Sequence, residues 1–213
     1  MRKNKYAILF ILVSIMALFY SCSKSKTVNS LEEYNKWLSS EANGLVKIKR
    51  INGFELRVKF LPVNYLAYKE YQDLEMTKGQ KQFDSLRESY KTSLTFLFSI
   101  CPDHEKGNNE DILISGVNSE QEYNEKVNTM SFNMDKYIKL MIEERELAPV
   151  LHNMENVSGL SQSRHFLFAF SDSTGLNMNK GFDFIYADEL FKLGINHFMF
   201  DAKHLRNVPE IRL

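Results

Sequence analysis

The sequence is poor in cysteine and carries no excess of charge of either sign. Its 213 residues include only two cysteines, and 27 basic residues balance 27 acidic residues. So few thiols cannot form a disulfide framework, and we expect the fold to depend on a hydrophobic core. The balanced charge argues against nucleic acid as a dedicated partner, because such proteins carry a basic surface.

Common signatures of catalysis and cofactor binding are also missing. The chain has no phosphate-binding glycine loop, no paired-cysteine motif and no nucleophile elbow. It also shows no internal repeat and no low-complexity block. We therefore predict no catalytic residues, no metal site and no cofactor, and we expect a protein that is not an enzyme.

The apolar run at the N-terminus is too short for a comfortable membrane span. It covers 15 residues, Tyr6 to Tyr20, whereas a transmembrane helix needs about 20. Basic residues precede the run, and Ser21 and Cys22 follow it. A basic segment, a short apolar segment and a small residue together form the layout of a secretory signal peptide.

The cysteine directly after the small residue makes the comparison more specific. The segment resembles the signal peptide of bacterial lipoproteins, with Ser21 in the last lipobox position and a relaxed pattern similar to that of Bacteroidota. The resemblance implies cleavage after residue 21 and attachment of fatty acyl chains such as palmitate to Cys22. An ordinary secretory signal and an uncleaved N-terminal anchor remain alternatives.

Lipidation of Cys22 would place the protein in the cell envelope. Two acyl chains anchor a protein stably, since each buried methylene contributes about 0.8 kcal/mol. Residues 22–29 read as a polar tether, and they lack the acidic run that resembles a surface-export signal. We expect a membrane-anchored protein at the outer membrane, facing the periplasm.

The remaining chain predicts one α+β domain over residues 30–213. Removal of residues 1–21 leaves 192 residues, a size typical of a single domain. Helical patterns dominate its first part and strand patterns its second part. We therefore predict N-terminal helices and a β-hairpin packed with a mostly antiparallel sheet.

Capping signals and helix-stopping residues place the helices. Ser30 with Glu33 and Ser119 with Glu122 form capping boxes, which predict helices that start at these serines. Two further helices are predicted after Pro62 and from near Gly79. Strands are predicted at 92–100, 111–116, 132–142, 147–152, 165–170, 182–186 and 195–201, with an extended tail at 206–213.

A β-hairpin is predicted around Asn52-Gly53, where apolar and charged residues alternate on both sides. A two-residue loop would pair Ile48 with Arg57 and mix polar and apolar residues on one face. A three-residue loop would pair Ile48 with Leu56 and collect the apolar residues on one face. We therefore predict the three-residue loop, with Gly53 in a bulge.

Histidines and carboxylates near the C-terminus provide raw material for a metal site. His197, Asp201 and His204 lie close together in the sequence, but their spacing matches no known ligand set. We interpret them as polar residues at a solvated strand end. His152 and His165 fall in predicted strands, where core or edge positions are the simpler interpretation.

A thiol and a protease-like triplet also invite a catalytic interpretation. Cys101, Asp103 and His104 could supply a nucleophile and a base, but neighbours in one loop rarely have the required mutual geometry. We predict a buried Cys101. The segment 172–175, Asp-Ser-Thr-Gly, resembles the aspartic-protease triplet with one residue too many, and only one such loop exists. A turn is the preferred interpretation.

Aromatic residues indicate both the core and a candidate interaction surface. The phenylalanines of the C-terminal part are expected mostly in the core. The tyrosines at 65, 68 and 71 cannot all face the core from one helix, and they therefore indicate an interaction surface. We predict an envelope lipoprotein with a protein-binding or assembly role and an envelope protein as partner. The alternative is a lipoprotein that binds a small ligand or a glycan.

Overall fold

Residues 27–74, 79–155, 161–172 and 180–213 are described by a computed structural model. The predicted signal peptide and Cys22 lie outside these residues. The described helices are α1 (Leu31–Leu38), α2 (Val63–Asp73), α3 (Gln80–Tyr90), α4 (Glu120–Phe132) and α5 (Ala202–Leu205). Within the same ranges, no helix is both long enough and apolar enough to cross a membrane.

Two antiparallel sheets, one of five and one of four strands, form the main part of the fold. The strands are β1 (Thr27–Val28), β2 (Val46–Ile51), β3 (Phe54–Leu61), β4 (Ser93–Pro102), β5 (Ile138–Ile142), β6 (Arg145–Leu147), β7 (Leu151–Met154), β8 (Arg164–Ser171), β9 (Phe182–Asp188), β10 (Gly194–Phe200) and β11 (Glu210–Ile211). The larger sheet has the order β2-β3-β4-β8-β7 and the smaller one β10-β9-β5-β6, while β1 pairs with β11 in parallel. The predicted α+β class, with mostly antiparallel pairing, is confirmed.

Phenylalanine rings from both sheets meet at the centre of the core. The ring of Phe96 on β4 lies 5.4 Å from that of Phe182, 5.2 Å from Phe184 and 5.7 Å from Phe200. All four side chains are buried. Because alternate residues of a strand point to opposite faces, each sheet contributes one apolar face to this layer and keeps the other face outside. The core position predicted for the late phenylalanines is confirmed for these residues.

The hairpin between β2 and β3 has a two-residue loop, so the predicted three-residue loop is wrong. Ile51 pairs with Phe54, and Ile48 pairs with Arg57. Asn52 and Gly53 both have positive φ, 50° and 84°, as a type I′ turn requires. The twist of this turn matches the twist of the flanking strands, and the turn therefore decides the register.

The two-residue loop places two lysines of β2 on the same face as the apolar residues of β3, and both lysines find favourable contacts there. Lys47 and Lys49 pair with Val58 and Leu56, on the side of the sheet that faces the core. Their ammonium groups lie 5.8 Å and 5.4 Å from the ring centres of Phe200 and Phe198. Since β2 is the outer strand of its sheet, the aliphatic stems cover apolar rings while the charges protect the edge.

Both capping boxes are present, with one difference from the expected geometry. The backbone N–H of Glu33 donates to Ser30 Oγ at 3.1 Å, and that of Glu122 donates to Ser119 Oγ at 3.2 Å. The two glutamates accept from the backbone N–H groups at 29 and 118, one residue before each cap. Helices α2 and α3, predicted after Pro62 and from near Gly79, are also confirmed.

Three predicted strands need correction. Residues 111–116 form turns, because Asp111 Oδ1 accepts the N–H of Leu113 at 2.8 Å and closes the chain on itself. The strand predicted at 132–142 begins only at Ile138, since α4 continues to Phe132 and a short 3₁₀ helix follows. The strand predicted at 147–152 is divided, because β6 ends at Leu147 in the four-stranded sheet and β7 begins at Leu151 in the five-stranded sheet. Strands predicted at 92–100, 165–170, 182–186 and 195–201 agree with the structure, and β7 lies at a sheet edge as predicted.

The last residues of the predicted tether at 22–29 belong to the fold. Its residues Thr27 and Val28 form β1, and Val28 is buried in the core. The C-terminal segment supplies the partner strand, and the N–H of Arg212 donates to the carbonyl of Val28 at 2.9 Å. The folded part of the chain therefore starts within five residues of Cys22.

Candidate functional site

The outer face of the four-stranded sheet carries exposed apolar side chains. On β10, Asn196, Phe198 and Phe200 point into the core, so the residues that alternate with them along the strand point outward. Two of these, Ile195 and Met199, are each 68% exposed. We call this surface the β9–β10 face; it consists of Met141, Asp183, Ile185, Ile195, His197 and Met199.

Strand register sets apolar and polar side chains of this face next to one another. Asp183 on β9 lies between Met141 and Met199 on the neighbouring strands. His197 Nδ1 lies 2.6 Å from Asp183 Oδ2. His197 therefore pairs with one oxygen of Asp183, while Asp183 Oδ1 is buried without a hydrogen-bond partner among the described residues. The apolar side chains of Ile195 and Met199 are open to solvent.

Charged residues around the β9–β10 face are paired as well. Lys139 Nζ lies 2.8 Å from Glu146 Oε1, and Lys180 forms an ion pair with Glu143. A shallow cavity of about 770 Å³ extends from this face towards Glu143 and Lys180. With its charges compensated internally, the surface favours contact with an uncharged, apolar surface over an ionic partner.

The histidines considered for a metal site do not come together. His197 pairs with Asp183, whereas the imidazole of His204 lies against Gly44 in a different part of the fold. A Cβ atom placed on Gly44 would be only 2.3 Å from His204 Cγ. In the parts of the chain that the structure describes, no group of three or more potential ligands could hold a metal ion.

The residues considered as a nucleophile and a base, Cys101, Asp103 and His104, do not come together either. Asp103 is buried near Arg50, and His104 Nδ1 lies 2.8 Å from Asn109 Oδ1. Cys101 points to the outer face of the five-stranded sheet and is half-buried, so the prediction of a buried thiol is only partly correct. Burial raises the pKa of the Cys101 thiol, which favours the less reactive protonated form.

Cys101 lines a cleft of about 340 Å³ that the sequence analysis did not anticipate. We call it the β3–β4–β8 cleft; it is lined by Glu55, Arg57, Lys59, Leu97, Ser99, Cys101, Glu155 and His165. In β3, the alternation of polar with apolar residues indicates an outer polar face. In β4, Ser99 and Cys101 lie within a strongly apolar run, so the sequence does not show that this strand also has an outer face.

A serine and a histidine meet on the floor of this cleft. His165 Nδ1 lies 2.7 Å from Ser99 Oγ across two paired strands, and burial lowers the pKa of His165. Because β4 is paired on both sides, its backbone amides are used by the sheet and cannot form an oxyanion hole. The pair therefore suits ligand contact better than acyl transfer.

The tyrosines expected at an interaction surface are used inside the protein. Tyr68 and Tyr71 are buried, with ring centres 6.4 Å and 5.8 Å from that of Phe83. Tyr65 packs at 5.5 Å from the ring of Tyr34. The prediction of a surface at 65, 68 and 71 is wrong, because α2 packs against both α1 and α3 and needs aromatic side chains on more than one side.

The remaining predicted residues have structural contacts or lie outside the described residues. His152 Nδ1 lies 3.6 Å from an oxygen of Asp135, and its ring stacks on Phe168. Asp172 is buried and forms an ion pair with Arg145 at 3.1 Å. Residues 173–175 of the protease-like segment lie outside the described residues.

Comparison with known proteins identifies a similarity to a solved structure. No protein-family model and no curated protein matches the chain. The crystal structure of a DUF4426 family protein from Pseudomonas aeruginosa PAO1 is similar over 74% of this chain and 92% of that chain, with 7% sequence identity and a TM-score of 0.36. A similarity of this degree carries no conclusion about function.

Proposed function

We propose that this chain is a lipid-anchored protein of the bacterial cell envelope that binds another protein through its β9–β10 face. The anchor is Cys22, and the expected location is the outer membrane, facing the periplasm. The observation that carries the binding role is the 68% exposure of both Ile195 and Met199 on a sheet face whose bordering lysines are paired with glutamates. The lipoprotein-like signal supports the anchor.

Burial of the exposed side chains would drive association. Full burial of an aliphatic side chain contributes about 1.5–3 kcal/mol, and Ile195 and Met199 are mostly uncovered. Lys139 and Lys180 beside this face are already paired with Glu146 and Glu143. We therefore expect an apolar, largely uncharged patch on the partner protein, and no requirement for an anionic lipid surface.

Chain length limits where this partner can be. From Cys22 to Thr27 there are five residue steps, which span at most about 18 Å when fully extended. Since β1 begins at Thr27, a lipidated Cys22 would hold the domain close to the membrane. The partner would therefore be a membrane protein or another protein held at the same envelope surface.

The anchor is tested by intact-mass measurement of the full-length chain after expression in a lipoprotein-processing bacterium. The expected product begins at residue 22, carries acyl chains and fractionates with membranes. Cys22→Ala is expected to lose the acyl mass and to accumulate unprocessed. An unmodified N-terminus, or one at another residue, would contradict the anchor.

The binding face is tested by photo-crosslinking in cells with a reactive residue at position 195. An envelope protein identified by mass spectrometry should then co-purify with the wild type and be lost with Ile195→Asp. Val150→Asp is the matched control, since Val150 is also 68% exposed but lies outside the β9–β10 face. Equal recovery with both variants would refute the role of this face.

A further inference from the structure

We propose that the β3–β4–β8 cleft binds a small zwitterion, namely a free amino acid or a dipeptide with both termini charged. The cleft lies on the opposite sheet from the β9–β10 face, and the two sites are independent. Its volume of about 340 Å³ is at the lower end of the range for small-molecule sites.

The sheet register places opposite charges at the two ends of one row of side chains. Arg57, Ser99 and His165 are lateral neighbours on β3, β4 and β8. The N–H of Glu155 donates to the carbonyl of His165 at 2.8 Å and extends the row by one strand. With strands about 4.8 Å apart, the backbone at Arg57 and the backbone at Glu155 are separated by about 14 Å.

Lys59 supplies an ammonium group without a counter-ion. Its Nζ donates to Ser39 Oγ at 3.1 Å, and no carboxylate of the described residues forms an ion pair with it. Burial, with a smaller contribution from Arg57, lowers the pKa of Lys59. A ligand carboxylate would supply the missing negative charge.

Arg57 already forms an ion pair with Glu55, so it borders the position proposed for the ligand carboxylate without supplying a free charge. Its Nη2 lies 2.8 Å from Glu55 Oε1, and the second oxygen of Glu55 is taken by Arg50 at 2.8 Å. Glu55 is therefore neutralised from two sides and does not compete for Lys59. The free positive charge of the cleft is concentrated at Lys59.

Glu155 supplies the opposite charge at the far side. Its carboxylate is exposed, and among the described residues it has neither a hydrogen bond nor an ion pair. Glu155 and Lys59 form no ion pair with each other, because β4 and β8 lie between β3 and the backbone of Glu155. A ligand with only one charge satisfies one side, whereas a zwitterion satisfies both.

Cys101 provides a reporter inside the cleft. The full-length protein, purified in detergent, is treated with iodoacetamide, and alkylation of the peptide that contains Cys101 is followed by mass spectrometry. Alanyl-alanine at ten times its dissociation constant is expected to slow alkylation about tenfold. Its acetylated and amidated form, which has the same backbone without the charges, is expected to give no protection.

Substitutions then test the contacts of the two charged ends of the ligand separately. Lys59→Met and Glu155→Gln should each remove protection by alanyl-alanine, measured for each variant against its own alkylation rate without the dipeptide. Lys139→Met, on the other sheet, should behave as the wild type. Absence of protection at millimolar alanyl-alanine, or equal protection by the uncharged form, would overturn the proposal.

Discussion

Gly44 and Gly107 form a natural pair for measuring the cost of a side chain next to His204. Each follows a three-residue 3₁₀ helix, and their φ angles are 75° and 76°. A Cβ on Gly107 would meet no atom within 4 Å, whereas one on Gly44 would lie 2.3 Å from His204 Cγ. Substitution by alanine therefore imposes the same backbone strain at both positions and a clash at one.

The magnitudes follow from these two contributions. Left-handed backbone costs an alanine about 1 kcal/mol relative to glycine, which is the expected loss for Gly107→Ala. Displacement of the His204 ring adds about 1–3 kcal/mol, so Gly44→Ala should lose about 3 kcal/mol. For a domain of this size, these losses lower Tm by about 2–4 °C in Gly107→Ala and by about 6–12 °C in Gly44→Ala.

The assay is urea unfolding of both single variants, followed by circular dichroism. A double variant, Gly44→Ala with His204→Ala, supplies the decisive comparison against His204→Ala alone. Without the imidazole, the alanine at 44 should cost only the backbone strain of about 1 kcal/mol. Equal losses for Gly44→Ala and Gly107→Ala, or no recovery in the double variant, would refute the contact.

Three further outcomes test the core, the sheet edge and a buried charge. Phe96→Ala should lose about 3–5 kcal/mol in urea unfolding, because its ring contacts both sheets; a loss below 1 kcal/mol would contradict its central position. Lys47→Val combined with Lys49→Val should produce concentration-dependent oligomers in light scattering, since β2 loses its edge charges, and a strictly monomeric variant would argue against this protection. Burial lowers the pKa of Lys126 to about 8, so this side chain loses its proton at a lower pH in the native state than in the unfolded state. The free energy of unfolding should rise between pH 8 and 10.5, by up to about 3 kcal/mol relative to Lys126→Met; parallel pH profiles for both proteins would exclude this contribution.

Local signals in the sequence were sufficient for the elements that depend on neighbouring residues. The capping serines Ser30 and Ser119 start helices because their side chains bond amides three residues ahead. Pro62 ends β3 for a similarly local reason, since it cannot continue the backbone pairing. Such features need no knowledge of the rest of the fold.

Features that depend on distant contacts were not predictable in the same way. The hairpin register was misjudged because the partners of Lys49 on β10 are about 150 positions away, and the sequence pattern alone made an inward lysine look unfavourable. The tyrosines of α2 were misjudged because their partner, Phe83, belongs to another helix. The candidate cleft was missed because Cys101 and His165 meet only when β4 and β8 pair.

The parallel ladder between β1 and β11 would limit how far the domain could move from the anchor proposed at Cys22. Its strands are only two residues long, and they lie apart from the two large sheets in the hydrogen-bonding pattern. A pull on the N-terminus would act on this ladder first and would release Thr27 and Val28 while the stacked sheets stay intact. Each freed residue would add about 3.5 Å of extended chain, so the same short pairing that would keep the proposed tether short at rest would lengthen it under tension.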